Sequence, residues 1–160
     1  MPAVDGIDLD IYPGEIIGYI GANGAGKSTT IKMMCGILTP TSGEVRVNGL
    51  IPYKSRMKNS KSIGVVFGQK TQLWWDLPLS ETFSILKEIY EVPDAFYKEQ
   101  MAYFDNIFEL SPFMSQTVRT LSLGQRMRAD LAASMLHNPK VREPRLLNSS
   151  RIGRAISFSV

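Results

Sequence analysis

The sequence predicts an α/β fold, and three observations carry that prediction. Gly21-Ala22-Asn23-Gly24-Ala25-Gly26-Lys27-Ser28 is a complete G-x-x-x-x-G-K-S loop. The apolar run at residues 15–20 has the length of a buried strand, and residues 29–35 read as a helix stopped by Gly36. From about residue 70 to residue 136 the apolar spacing turns helical. The expected architecture is an N-terminal layer of strands around the helix after the loop, followed by a helical subdomain.

The residue types of the loop fit one chemistry. Its glycines let backbone N–H groups converge on an anion, and a Cβ at Gly24 or Gly26 would obstruct that approach. Lys27 supplies a point charge for terminal phosphates, and Ser28 offers a hydroxyl to a Mg²⁺ ion. Thr29 opens a helix whose positive dipole end adds to the field. The eight loop residues and Thr29 are therefore the candidate phosphate-binding set. The loop alone does not separate ATPases from GTPases or small-molecule kinases.

Length and composition set the outer limits. A chain of 160 residues with 44% hydrophobic and 21% charged residues suits one globular domain. It can bury roughly 70% of its extended surface. No apolar run is long enough to cross a bilayer as a helix, and no leader-like segment opens the chain, so a cytoplasmic protein is expected. The one cysteine, Cys35, lies on the apolar helix after the loop and reads as an inert thiol. The net charge of +3 resides in residues 141–160, which carry four arginines against one glutamate.

Residues 7–11 alternate apolar and acidic, as a half-exposed strand does, and Pro13-Gly14 turns the chain toward the loop. Residues 44–47 alternate again and end at Asn48-Gly49, a strong turn signal. Residues 51–62 read as a loop with a short helix, and residues 62–67 as a buried strand delivering Gly68-Gln69. Ser80 is the expected cap of a helix carrying Phe83, Leu86 and Tyr90. Pro93-Asp94 starts a second, with Tyr97, Met101, Phe104 and Phe108 as a core stripe. Ser122 is the expected N-cap of a third, with Met127, Leu131 and Met135 on one face and Asn138-Pro139 at its close.

The phosphate loop, Gln69 lying 42 residues past Lys27, and Leu121-Ser122-Leu123-Gly124-Gln125 after a helical insert form a specific combination. Over residues 2–140 the chain resembles the nucleotide-binding domain of ABC transporters. Leu121 to Gln125 look like the family's signature, and Gln69 matches its Q-loop glutamine. The run from Val66 to Pro78 looks like a branch of prokaryotic exporter ATPases.

That resemblance implies ATP and Mg²⁺ as cofactors. It implies two such domains dimerising head to tail, and a membrane-spanning permease that holds them at the inner face of the membrane. Ser122, Gly124 and Gln125 would then form a second anion-binding end facing the γ-phosphate of the partner copy, and Ser28 and Gln69 would complete the metal's surroundings. Leu123 stands where many members have a second glycine; its side chain is expected to point away. Trp74 and Trp75 would border the permease, either as a docking patch or packed into the helical layer.

The sequence departs from the family after Lys140. A buried apolar strand ending in Asp-Glu is needed there, the aspartate for Mg²⁺ and the glutamate for the attacking water. Residues 141–150 instead hold Arg142, Pro144 and Arg145, a poor central strand, and Glu143 is the last carboxylate. No catalytic residue is assigned. The later switch histidine has no counterpart, and His137 is expected to be a helix-end residue. The boundaries expected are a partial ABC domain over residues 1–140 and a family-unrelated tail over 141–160, as from a disrupted reading frame. Such a chain is expected to be poorly stable and to turn ATP over slowly or not at all.

Other readings remain. They are a non-hydrolysing nucleotide-binding fragment or non-functional gene product, a different phosphate-loop enzyme, a non-transport ABC ATPase, and a nucleic-acid binder using the four tail arginines. No Asn-Lys-x-Asp base reader supports a GTPase, and no nucleic-acid partner is expected.

Overall fold

The computed structural model describes residues 2–67, 71–143 and 156–159. Two compact units emerge, Met1–Ile63 with Arg145–Val160, and Gly64–Pro144.

In the first unit, β1 (Asp8–Ile11) is the expected alternating strand, its residues switching between exposed and half-buried. β2 (Glu44–Val47) buries Val45 and Val47 and turns back at Asn48-Gly49, where both residues adopt positive φ. Val47 and Leu50 exchange N–H···O bonds across that turn, the geometry Asn-Gly favours. Between β1 and β2 lies β5 (Ile156–Ser159), antiparallel to both, so the sheet order is β1-β5-β2. Leu9 and Val45 both stand opposite Phe158 in register.

α1 (Lys27–Met34) starts at Gly26 and ends at Cys35, with Gly36 in the left-handed region beyond it. A Cβ on Gly36 would lie 2.7 Å from the Pro52 carbonyl oxygen, so glycine is required there twice over. α2 (Arg56–Ser60) is the expected short helix. Its buried Asn59 donates to the Met34 carbonyl at 3.0 Å, satisfying an end group that α1 cannot satisfy itself.

The strand expected at residues 15–20 does not form. Ile16 and Ile20 are 75% and 91% exposed, and no described strand pairs with this segment. An extended run becomes a strand only when a neighbour takes up its N–H and C=O groups. Apolar composition alone does not supply one.

The second unit is mainly helical. β3 (Ile63–Val65) is shorter than the sequence suggested and pairs with β4 (Val141–Glu143). A strand at β4 runs against the expectation for this segment. It lasts three residues, and Pro144, which has no N–H to donate, follows in sequence. The rest of the tail up to residue 155 lies outside the described residues.

α3 (Leu79–Ile89) and α4 (Asp94–Phe108) pack against α5 (Leu123–Met135). The expected stripe on α4 is sorted by depth: Phe104 and Phe108 are buried, while Tyr97 and Met101 flank the core. With Phe83, Leu86, Leu110, Phe113, Val118 and Leu136 they form one cluster. Ser80 is not the cap of α3. Pro78 holds that place and Ser80 lies in the first turn, its N–H donating to the Met114 carbonyl at 2.9 Å. On α5 the buried face is Ala129, Ala132, Ala133 and Met135, whereas Met127 is 56% exposed. Of the expected stripe, Met135 lies in the core and Leu131 packs against it, while Met127 in the early part of the helix faces outward.

Phe104→Ala is expected to cost about 3–5 kcal/mol, the combined loss of buried ring and cavity. Tyr103→Ala, on the exposed neighbour, should change stability by less than about 0.5 kcal/mol. Urea denaturation of both variants followed by circular dichroism compares them directly. Equal losses would contradict the core assignment.

Candidate functional site

The phosphate loop has the backbone its glycines anticipate. Gly24 and Gly26 sit at φ of 86° and 80°, left-handed values that a residue with a Cβ rarely adopts. At Gly24 a Cβ would meet nothing within 4 Å, so conformation alone asks for glycine. At Gly26 a Cβ would also fall 2.4 Å from the Ala3 carbonyl oxygen and 2.8 Å from Val4. The sequence argument placed that obstruction on the anion side; the structure adds one on the protein side.

Ala25 N–H donates to the Ala22 carbonyl at 3.2 Å and closes the turn. The Lys27 ammonium lies over the loop and donates to the carbonyls of Gly21 and Ala22, each at 2.6 Å. Ser28 is exposed and Thr29 half-buried on the first turn of α1, where N–H groups have no intrahelical partner. Thr30 is buried. Its hydroxyl donates to the Gly26 carbonyl at 3.2 Å and lies 3.4 Å from the Tyr19 hydroxyl, tying α1 to the segment before the loop. A glycine backbone at left-handed φ, a lysine and a hydroxyl at a helix start fit a magnesium-bound triphosphate in donor type and charge.

The second candidate end is the start of α5. Ser122 is its N-cap, accepting from the Gln125 N–H at 3.2 Å, while the Gln125 side chain accepts from the Ser122 N–H at 2.8 Å. This is a full capping box. It commits the Gln125 amide oxygen to the helix, while Gly124 stays exposed with open space around its Cα. Leu123 is 73% exposed, so its side chain turns outward as expected.

Gln69 lies outside the described residues. The segment after it is held by α5 in a way the sequence did not disclose. Asp130, 7% exposed, accepts from the Thr71 hydroxyl at 2.8 Å and the Gln72 N–H at 3.2 Å. Burial pushes its carboxyl above the ordinary value, partly opposed by those two bonds and by Arg126. Trp74 and Trp75 are half-exposed, and the Arg126 guanidinium lies 4.3 Å from a Trp75 ring centroid. His137, just past α5, stacks on Tyr90 at 4.0 Å. Arg126 and Asp130 carry opposite charges four residues apart, a spacing that marks a pair on one helix face but does not name Thr71, Gln72 or Trp75 as partners.

Among the described residues no cluster of three or more His, Cys, Asp or Glu side chains could hold a metal by itself.

The loop joined to a helix and the capped helix after a helical insert define a nucleotide-binding domain of the phosphate-loop class. The ABC transporter family pattern matches residues 4–142, and the chain belongs to that family. It is 34% identical over 139 residues to the Probable multidrug ABC transporter ATP-binding protein YbhF of Escherichia coli (strain K12), covering 87% of this chain and 24% of that one. It is 34% identical over 143 residues to the Methionine import ATP-binding protein MetN 2 of Enterococcus faecalis (strain ATCC 700802 / V583), covering 87% of this chain and 41% of that one. Among solved structures it resembles cbiO1 from Clostridium perfringens, part of the ABC transporter complex cbiONQ. The TM-score is 0.74 and the identity 28%, over 88% of this chain and 57% of that one. The chain thus spans about a quarter to a little over half of these relatives. They include an import protein, so family membership by itself does not set the direction of transport. Among the described residues no helix is long and apolar enough to cross a membrane.

The raised carboxyl of Asp130 has a signed consequence. The folded chain holds this proton more tightly than the unfolded chain, whose value is near 3.8. The associated stability is full below that value and is lost as pH rises through the folded value. Asp130→Asn keeps an oxygen for Thr71 and Gln72 but buries no charge. Its stability relative to the parent is expected to rise between pH 3.5 and pH 7 in paired denaturation curves. A relative fall over that interval would refute the assignment.

Proposed function

We propose that this chain binds Mg-ATP as the ATP-binding domain of an ABC-type exporter and turns it over slowly or not at all. The observation that carries the proposal is the left-handed glycine loop with Lys27 and Ser28 at the start of α1. The loop residues Gly21 to Ser28, with Thr29, would hold the phosphates. Ser28 and Gln69 would supply oxygens to the magnesium. Ser122, Gly124 and Gln125 would present the start of α5 to the nucleotide of a second copy or a related subunit, arranged head to tail.

Bound Mg²⁺ would neutralise phosphate charge. The chain's own part is to enclose the phosphates with N–H groups, to place Lys27 against their charge, and to aim the α5 dipole at an anion. The exporter assignment rests on the run from Val66 to Pro78 and on the likeness to YbhF, whose name is that of a multidrug transporter protein. A permease would be the membrane partner, with the half-exposed Trp74 and Trp75 on the docking side. The domain would then lie in the cytoplasm against the inner face of the membrane.

A second reading, a nucleotide-binding fragment that does not hydrolyse, is favoured by one observation. Lys140 leads into a three-residue strand followed by Pro144, where an apolar strand ending in Asp-Glu would carry the magnesium aspartate and the water-orienting glutamate. The division at residue 140 into a partial ABC domain and a family-unrelated tail belongs to this reading.

Lys27→Ala is expected to weaken Mg-ATP binding by about tenfold to a hundredfold, the loss of a charge-assisted contact. Equilibrium dialysis with labelled ATP measures it, and unchanged affinity would remove Lys27 from the site. Phosphate release should run about 10²–10⁴ below that of a family member with the Asp-Glu pair. An equal rate would overturn the low-turnover reading while leaving the binding site intact.

A further inference from the structure

Between Glu44 and Asp76 the chain carries six basic residues and no acidic one. Four of the six, Lys54, Arg56, Lys58 and Lys61, fall within eight consecutive positions on and around α2, and all four are exposed. Met57 stands among them and is 76% exposed. Several other surface cations are matched by a carboxylate: Arg46 by Glu44, Lys87 by Glu88 and Asp94, Arg128 by Glu109. Lys54, Arg56 and Lys58 make no ion pair with any described carboxylate.

The buried side of the segment fixes where this charge faces. Asn59 is fully buried, donates to the Met34 carbonyl at 3.0 Å, and accepts at its own carbonyl from the Ser62 hydroxyl at 2.9 Å. Bonds from the Ser55 N–H to Ile51, the Asn59 N–H to Ser55 and the Lys61 N–H to Met57 carry a helical rhythm from residue 51 to residue 61. In that rhythm the buried Pro52 and Asn59 share one side, while Lys54, Met57, Lys58 and Lys61 share the other, which is exposed. The cations and the methionine are therefore held outward together by a polar anchor on the inner side.

Like charges gathered on one side repel one another, and an anionic surface relieves that repulsion. The methionine narrows the choice of surface. A nucleic acid would meet the charge, but it offers Met57 no apolar environment. Nor is an aromatic free for a base to stack on, since Tyr53, the one aromatic of residues 51–62, is half-buried with the Lys54 ammonium 6.0 Å from its ring centroid. A bilayer interface takes both features, cations at the head groups and an apolar side chain at the boundary with the acyl chains. We propose that residues 54–61 are a docking surface for an anionic phospholipid bilayer, with Lys54, Arg56, Lys58 and Lys61 against the head groups and Met57 entering the boundary beneath them. The contact goes beyond the proposed function, in which the membrane is reached through a permease, and it needs no nucleotide.

The test is co-sedimentation of the full chain with vesicles. The parent is expected to bind vesicles of equal parts phosphatidylcholine and phosphatidylserine, to leave vesicles of phosphatidylcholine alone in solution, and to be released as salt is raised. Each cation at such a surface contributes about fivefold, so Lys54→Gln, Arg56→Gln and Lys58→Gln together should lower the partition about a hundredfold. Met57→Ser keeps every charge and should lower it about threefold to tenfold. Both variants alter exposed positions, so their circular dichroism and their Mg-ATP binding should match the parent. If a variant does not fold, the lipid and salt comparisons on the parent still decide. Equal sedimentation with both vesicle types, or full binding by the triple variant, would overturn the inference. So would vesicle binding indifferent to Met57→Ser and displaced by duplex DNA, the behaviour of a general polyanion surface. Charge-dependent vesicle binding in a chain that fails to bind Mg-ATP would remove the proposed function and leave this inference standing.

Discussion

Close packing along the alanine face of α5 is the constraint on which the helical unit depends. Ala129, Ala132 and Ala133 are fully buried, and their small side chains let α3 and α4 come near enough for Phe83, Phe104 and Phe113 to share one interior. The same closeness extends beyond the helix. A Cβ on Gly64 of β3 would fall 2.4 Å from the Ser134 carbonyl oxygen, so the strand also presses on the end of α5. A larger residue at any of these places would push apart elements whose stability comes from dispersion and water exclusion over a dense contact. The helix is thereby fixed in position, and its capped start with it.

In the first unit the governing constraint is backbone pairing. β1 and β2 are each four residues long, and neither pairs with the other. They are joined through β5, which has a partner on both edges. Residues 15–20 are more apolar than either strand but have no such neighbour among the described residues, and they form no strand and stay exposed. The loop that follows keeps its form because its own bonds are local. The Ala22–Ala25 turn, the left-handed glycines and the Thr30 hydroxyl on Gly26 require no sheet.

This separates what the sequence could disclose from what it could not. Motifs whose geometry is set within a few residues were legible: Gly24, Gly26 and Lys27 in the loop, Asn48-Gly49 in the turn, and Ser122 with Gln125 in the cap. Phe104 and Phe108 on α4 were legible through their spacing. Features set by distant partners were not. Ser80 carries a good capping side chain, but the chain enters α3 through Pro78, and the Ser80 N–H is taken by Met114. Met127 fits a helical stripe by number, but the interior lies on the alanine side. β5 sits in residues that composition marks as foreign to the rest, and only the pairing partners of Leu9 and Val45 reveal it. The partners of Asp130 were hidden for the same reason. Its role is defined by Thr71 and Gln72, close to sixty positions away.

The two candidate ends therefore rest on different kinds of support. The hydrogen bonds that shape the phosphate loop are local. The α5 end differs. Its cap is local, but its placement is inherited from the alanine face. Loss of a catalytic carboxylate after α5 would leave both ends standing, since neither the loop bonds nor the capping box involves residues beyond Leu136. The bonds that shape the loop and the cap thus lie within residues 21–30 and 122–125.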